Sequence, residues 1–391
     1  MTIADRWLLP DGIEEVLPPE AWKVEHLRRD MLDLYASWGY ELVIPPHIEF
    51  LESLAAGSGS DLDLMTFKVT DQLSGRTLGL RADTTPAVAR MDAHTLRQDG
   101  PVRLCYAGSV FHTRPATLTA SRTPIQMGAE LYGHSGIASD LEVISLMLET
   151  LALSGICQPS VDLGHVDIFR QLVNMAGLNQ ETEKDLFDAL QRKDLGVMEA
   201  LIAGASNKDA AAMLMALPEL CGDLSVLEKA RTVLAQAPAA VQNAINVLEE
   251  LARDVKARYP AIALYFDLGE LRGYNYHTGV VFAAYVPGEG QAVAKGGRYD
   301  GVGEAFGRAR PATGFSADLK VLLRLGSFDK PSEEAGAKGA ILAPADSSPD
   351  IVRQLRAQGE RVIHQLSDET EGFDRVLKNV SGNWKVVSTD W

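Results

Sequence analysis

Between residues 20 and 39 the apolar positions Val24, Leu27, Met31, Leu34 and Trp38 recur at spacings of three and four. That period predicts an amphipathic helix, with Gly39 as its stop. A strand-like YELVIPP follows at 40–46. Residues 66–81 predict a hairpin turning at Ser74-Gly75. Residues 103–111 and 125–133 predict two more strands, and residues 140–154 a helix with Asp140 as N-cap and Gly155 as stop. Strands are also predicted at 160–166 and 261–267. The apolar stretch from Leu141 to Leu153 is broken by Glu142, Ser145, Glu149 and Thr150, so no membrane span is expected.

Residues 172–258 have a different texture, rich in Ala, Leu, Glu and Lys and without a convincing strand. Val241, Ile245, Leu248, Leu251 and Val255 form a helical stripe there. The region is expected to be a helical insertion in an α/β domain; the helical half of one continuous fold is the alternative. Strands near 279–286 and 292–295 then lead to Gly296-Gly297. Residues 325–338 are polar and turn-rich, as a linker would be. Beyond it AILAP, a helix at 349–358, RVIHQL, a second short helix and KVVST predict a small βαβαβ unit.

The length of 391 residues suggests two or three domains, and 46% hydrophobic with 23% charged residues suits a soluble globular chain. Lys and Arg number 37 against 53 Asp and Glu, a net charge of −16. That argues against a strongly basic nucleic-acid binder, although a local basic groove is compatible with it. Cys105, Cys157 and Cys221 show no CxxC spacing. A disulfide scaffold or cysteine zinc site is therefore not expected, and a reducing cytoplasm fits. The first residues show no signal-peptide pattern. Walker A, GxGxxG and HExxH patterns are absent and the histidines are scattered, so neither a metal nor a cofactor is expected.

Three segments hold candidate chemistry. In IQMGAELYG, strand alternation puts Ile125, Met127, Ala129 and Leu131 on one face and Gln126, Gly128, Glu130 and Tyr132 on the other. Gln126 and Glu130 would then stand ~13 Å apart at ~3.3 Å per residue, able to flank one small polar ligand. A solvated sheet face would give the same pattern. In LRADTTPAVARMDAH, Arg81, Asp83 and Thr85 alternate if extended, and Thr84 or Thr85 suits a cap for a helix begun at Pro86. A plain strand end and cap is the simpler reading. LRGYNYHTGVVF, followed by AKGGRYDG, packs an arginine, two tyrosines and a histidine into 272–277.

In this order, and with a helical insertion before the third, the three segments resemble the catalytic core of histidyl-tRNA synthetase. RADTT is similar to that family's RPEGT, FHTRPATLTASRTPIQMGAE lies on its motif 2, LRGYNYHTGVVF on its RGLDYY segment and ATGFSADLKVL on motif 3; GGRYDG matches directly. The resemblance covers about residues 8–325. It implies an α+β fold: a class II aminoacyl-tRNA synthetase-like antiparallel sheet with flanking helices, usually dimeric. The core would be 1–171 with 259–325, the helical insertion 172–258, and 338–391 a small α/β unit, a shortened relative of the anticodon-binding domain.

By the resemblance, Asp83, Thr85, Gln126, Glu130, Arg272 and Tyr276 bind histidine or line its pocket, with His277 in place of a tyrosine. Glu130 suits an imidazole, Asp83 and Gln126 an α-amino group, and Arg272 a carboxylate. The ATP positions depart. The motif 2 arginine falls on His112 and its glutamate on Arg114, while the motif 3 arginine falls on Val321. Adenylation needs fixed cations aimed at phosphate, each worth about 2.7–4 kcal/mol. A histidine pocket without them resembles a paralogous family, the regulatory subunits of ATP phosphoribosyltransferase. That implies a non-catalytic cytoplasmic chain that activates the short catalytic subunit. It would convey feedback inhibition by L-histidine as a homodimer within a hetero-octamer, and bind no tRNA and no membrane. An atypical histidyl-tRNA synthetase is the rival expectation.

Overall fold

The computed structural model describes residues 7–55, 60–115, 117, 120–270, 273–274, 276–328, 339–367 and 373–389. They fall into two compact units, Met1–Glu15 with Leu27–Phe328 and Val16–His26 with Asp329–Trp391.

The chain opens with α1 (Glu20–Ser37), β1 (Glu41–Leu42), β2 (Ile48–Phe50), α2 (Leu51–Ala55), α3 (Ser60–Met65), β3 (Phe67–Thr70) and β4 (Thr77–Leu80). Next come α4 (Thr85–Arg90), a π-helical turn at Met91–Leu96, β5 (Val102–Ser109), β6 (Ile125–Tyr132), α5 (Ile137–Leu153) and β7 (Ser160–His165). A mainly helical stretch carries α6 (Val166–Ala176), α7 (Gln180–Gln191), α8 (Leu195–Ile202), α9 (Lys208–Ala216), β8 (Cys221–Gly222), α10 (Ser225–Val233) and α11 (Ala239–Arg258). The first unit closes with β9 (Ala263–Asp267), β10 (Val280–Tyr285), β11 (Ala294–Arg298), β12 (Ala312–Asp318) and α12 (Leu319–Leu325). The tail holds β13 (Ala340–Ala343), α13 (Pro349–Ala357), β14 (Val362–His364), β15 (Phe373–Val380) and β16 (Asn383–Ser388).

One nine-stranded sheet, ordered β1-β5-β6-β12-β11-β10-β7-β9-β8, organises the first unit. It is antiparallel at every pairing except β1–β5 and β7–β9. The predicted alternation on β6 holds: Met127, Ala129 and Leu131 are buried on the helix-covered face. On that side Phe315 of β12 meets Tyr35 of α1 edge-on, ring centres 6.1 Å apart. Burial of such apolar faces is the main stabilising term of the fold.

Several expectations shift by a few residues, each for a tertiary reason. On α1 the buried positions are Val24, Leu27, Met31 and Tyr35, while Leu34 and Trp38 are half-buried. The Trp38 indole lies at the rim and donates to Glu149 at 3.2 Å. The 40–46 strand shrinks to two paired residues. Asp140 does not cap α5, which starts at Ile137 behind Gly136; its carboxylate is buried against Arg298 at 2.9 Å. Gly296 and Gly297 lie inside β11 rather than after it. The 172–258 stretch is helical apart from β8, which joins the sheet edge beside β9.

In the second unit, β14-β13-β15-β16 form a four-stranded sheet. The second short helix expected between RVIHQL and KVVST is absent from the described residues there; β15 occupies 373–380 and pairs with β13 and β16. Ile341, Ala343, Val352, Val362 and Leu377 form its core, with Trp384 packed on it. Most of the expected linker, 329–338, lies outside the described residues.

Candidate functional site

On the other face of the large sheet the residues change from apolar to polar and glycine. The register sets Glu130 beside Gly314, Gly314 beside Gly297 and Gly297 beside Val281. One row along, Gly128 faces Ser316, Ser316 faces Lys295, and Lys295 faces Ala283. Small residues keep this floor low. A methyl on Gly314 would overlap the Glu130 carboxylate, and one on Gly128 would overlap the Tyr106 hydroxyl. A methyl on Gly297 would sit 2.9 Å from the His277 ring. These glycines thus mark close approach in an extended strand.

The space above the floor is a cavity of about 310 Å³. That is at the lower end of small-molecule sites, roughly 300–1,000 Å³. Asp83, Thr85, Glu130, Tyr276 and His277 line it together with Tyr299 and Lys295. Glu130, 1% exposed, is its chemical centre. It accepts from Thr85 Oγ1 at 3.0 Å, from the Tyr106 hydroxyl at 3.1 Å and from the Tyr299 hydroxyl. Burial pushes its pKa up to about 8 against the pull of those hydroxyls. The phenols of Tyr106, Tyr276 and Tyr299 are pushed well above the usual range, by burial first and by the Glu130 charge second. They therefore stay protonated as donors. The buried Tyr276 hydroxyl has no hydrogen-bond partner among the described residues. A buried hydroxyl left so costs about 1–3 kcal/mol, which a ligand atom can recover.

Asp83 stands just before α4 and accepts from the Thr85 amide at 2.8 Å and from Gln126 Nε2 at 3.1 Å. Gln126 in turn accepts from the Thr84 amide at 2.8 Å, which locks its orientation. Gln126 thus supports Asp83 from behind the lining rather than lining the cavity itself. Burial pushes His277 down to about 4, leaving it neutral at pH 7. Its Nδ1 faces the Arg298 carbonyl at 3.3 Å, so Nδ1 carries the proton in that bond and Nε2 is an acceptor. The segment bearing Tyr276 and His277 is held by the helical region. Arg170 of α6 donates to the carbonyls of Tyr274 and His277, and the Tyr274 ring stacks on Phe187 of α7 with its hydroxyl on Glu183.

Other clustered polar groups are already engaged. His112 Nε2 bonds the Ala82 carbonyl at 2.9 Å. Arg114 is exposed and Val321 half-buried on α12, and neither they nor His112 line the cavity. Among the described residues, no group of three or more His, Cys, Asp and Glu is placed to hold a metal, and no helix is long and apolar enough to cross a membrane.

Residues 12–322 match the family model of histidyl-tRNA synthetase, and residues 338–387 that of the ATP phosphoribosyltransferase subunit HisZ C-terminal domain. The chain is 57% identical over 400 residues to the ATP phosphoribosyltransferase regulatory subunit of Ectopseudomonas mendocina (strain ymp), covering 99% of each. The chain belongs to the family of ATP phosphoribosyltransferase regulatory subunits. The subunit of that name from Pseudomonas aeruginosa PAO1 is 57% identical over 395 residues, again covering 99% of both. Among solved structures, a Bacillus halodurans protein described as an ATP phosphoribosyltransferase regulatory subunit/histidyl-tRNA synthetase superposes with a TM-score of 0.80 at 28% identity, over 93% of this chain and 94% of that one. Histidyl-tRNA synthetase from Nostoc sp. PCC 7120 superposes at 0.73 with 18% identity, over 98% and 97%, a likeness of fold.

The class II synthetase-like fold expected from the motifs is therefore the fold of this family. Of the expected pocket residues, the structure brings Asp83, Thr85, Glu130, Tyr276 and His277 to one cavity; Arg272 lies outside the described residues. Sequence reasoning missed Tyr106, Tyr299, Lys295 and Gly314. For Tyr299 and Lys295 a signal existed: both alternate with Gly297 in AKGGRYDG. Tyr106 and Gly314 become legible only through cross-strand register.

Proposed function

We propose that this chain is the non-catalytic regulatory subunit of ATP phosphoribosyltransferase in the first step of L-histidine biosynthesis. It would join the short catalytic subunit, switch it on, and carry feedback inhibition by taking L-histidine into the cavity over Glu130. The observation that carries this reading is the buried Glu130 with its three hydroxyl donors, next to the unpartnered Tyr276 hydroxyl. An imidazole supplies what that corner lacks: an N–H or a positive charge for the carboxylate, and a partner for the phenol. Asp83 suits the α-amino group of the same molecule.

The non-catalytic part rests on the ATP positions. His112 is committed to Ala82, and Lys320 to Glu14 at 2.8 Å and Ser121 at 3.1 Å. Val321 offers no charge. Of these positions Arg114 alone keeps a charge uncommitted among the described residues, and it is exposed, whereas acyl-adenylate formation requires fixed cations aimed at phosphate. Regulation then follows from linkage. Histidine must bind two states of the complex with different affinity, and a coupling of about 1–3 kcal/mol would be ordinary. We place the chain in the cytoplasm as a homodimer within a hetero-octamer, without tRNA.

Co-purification with a short-form phosphoribosyltransferase, followed by activity assays with added histidine, tests the reading. The expected result is activation on mixing and inhibition by histidine, with inhibition lost in Glu130→Ala while the complex still assembles. Equal inhibition after Glu130→Ala removes the site. Robust histidine-dependent pyrophosphate–ATP exchange by the chain alone would establish the synthetase alternative.

A further inference from the structure

The edge of the large sheet furthest from Glu130 carries a separate cluster of reactive groups. Of the three cysteines, Cys157 is exposed and Cys105 is buried, and burial pushes the Cys105 thiol up to about 12. Cys221 is half-buried on β8, the last strand of the sheet, six strands from β6. At about 4.8 Å per strand it stands about 29 Å from Glu130.

Register and alternation gather side chains around its sulfur. Cys221 faces Asp267 of β9, and Tyr265 lies two residues along β9 on the same side. A fourth group comes from the helical region. Lys193 follows α7, and its ammonium donates to the Cys221 sulfur at 3.8 Å and pairs with Asp267 at 3.4 Å. The thiol itself donates to the Pro218 carbonyl at 3.7 Å. The Tyr265 phenol is pushed up to about 12, first by its hydrogen bond to Cys221 and then by burial, so it stays protonated. None of these four residues lines the ligand cavity.

The backbone places the lysine. α7 ends in a Schellman motif, in which the Lys193 amide bonds the Leu190 carbonyl and the Asp194 amide bonds the Ala189 carbonyl, each at 2.9 Å. The motif needs a left-handed residue, a place glycine usually takes; here Lys193 holds it with φ 52°. The amine thereby ends beside the one half-buried thiol of the chain.

We infer that Lys193 and Cys221 are an oxidative modification site, at which hydrogen peroxide joins the two side chains through an S–O–N bridge. In the first step peroxide takes two electrons from the thiol, giving the sulfenic acid Cys–S–OH and one water. In the second, the Lys193 amine, having released a proton to solvent, forms an N–O bond to the sulfenic oxygen. A second peroxide takes two electrons from nitrogen, and the displaced N–H and O–H hydrogens leave with it as two waters. An intervening oxygen asks less closure of the 3.8 Å contact than a direct bond would, and the lysine side chain, 52% exposed, can supply that movement. The bridge fastens the end of α7, whose Glu183 and Phe187 hold Tyr274, to the sheet edge. The inference is independent of the histidine reading of the cavity.

The experiment treats the full chain with hydrogen peroxide, as wild type, Lys193→Arg and Cys221→Ser, and maps the proteolytic peptides by mass spectrometry. In the wild type the peptides holding Lys193 and Cys221 are expected as one cross-linked species, heavier than their sum by one oxygen and lighter by two hydrogens. Dithiothreitol should release it. Both variants should lack the species, with Cys221 of Lys193→Arg passing on to sulfinic and sulfonic acid, which dithiothreitol does not reverse. Thermal melts before oxidation should show all three chains folded. A wild-type Cys221 that goes to those acids with Lys193 unmodified, pairs with Cys157 as a disulfide, or does not react overturns the assignment.

Discussion

Two neighbouring parts of the first unit spend their polar groups in opposite ways. Over the centre of the large sheet, hydroxyls from α4, β5 and the end of β11 converge on one carboxylate, while the Tyr276 hydroxyl has no partner among the described residues. Around His112 the groups consume one another. Arg122 donates to the His112 and Asp11 carbonyls, His112 bonds Ala82, and Arg81 donates to the Ser109 and Pro45 carbonyls. In the synthetase resemblance this second region would serve ATP. A region whose donors are satisfied internally is scaffold, whereas one holding a buried, half-satisfied set is prepared for something it does not yet contain.

The contrast breaks most sharply at Gly314. Gly314→Ala forces a methyl into the Glu130 carboxylate; histidine affinity measured by calorimetry should fall by at least about a hundredfold, with about 1–3 kcal/mol of overpacking strain in the unfolding free energy. Glu130→Gln keeps the shape and removes the carboxyl group that can ionise against a bound imidazolium. Its expected cost is a tenfold to hundredfold loss of histidine affinity, about 1.5–3 kcal/mol.

The same substitution sharpens the comparison through pH. Glu130 has its pKa raised from 4.5 to about 8 in the folded chain. The native state therefore holds a proton that the unfolded state has lost between those values. Its contribution to stability is full below about 4.5 and is lost as pH rises through about 8. His277, lowered from 6.5 to about 4, has the opposite sign: its contribution is present above 6.5 and lost as pH falls toward 4. Denaturant unfolding without histidine should show both slopes, and Glu130→Gln should flatten only the upper one.

The smallest effect belongs to the scaffold side. His112→Ala should leave histidine affinity within about twofold and cost about 1 kcal/mol of stability through the lost bond to Ala82. A larger loss of affinity would mean that the two regions are not separate.

Local pattern carried far along the chain where the pattern is itself local. The period of two placed Gln126, Gly128 and Glu130 on one face before any partner strand was known, because alternation is a property of a single extended segment. The stripe at 241–255 predicted α11 for the same reason. Asp140 shows where local preference fails. It is a good cap by type, yet Arg298, 158 residues away, takes its carboxylate. In the tail, β15 was expected to be helix; its pairing with β13 and β16 decided its state over weak intrinsic preference.

By itself the sequence determined the helical and extended segments, the polar face of 125–133, and the motif order that marks the family. Only the tertiary structure decided that Tyr299 reaches Glu130 across 169 residues, that Gly314 lies beside it, and that Lys295 faces the same space. Periodicity acts within a strand, whereas the meeting of side chains from β5, β6, β11 and β12 depends on how strands distant in sequence align. That register is set by hydrogen bonding and close packing of the whole sheet.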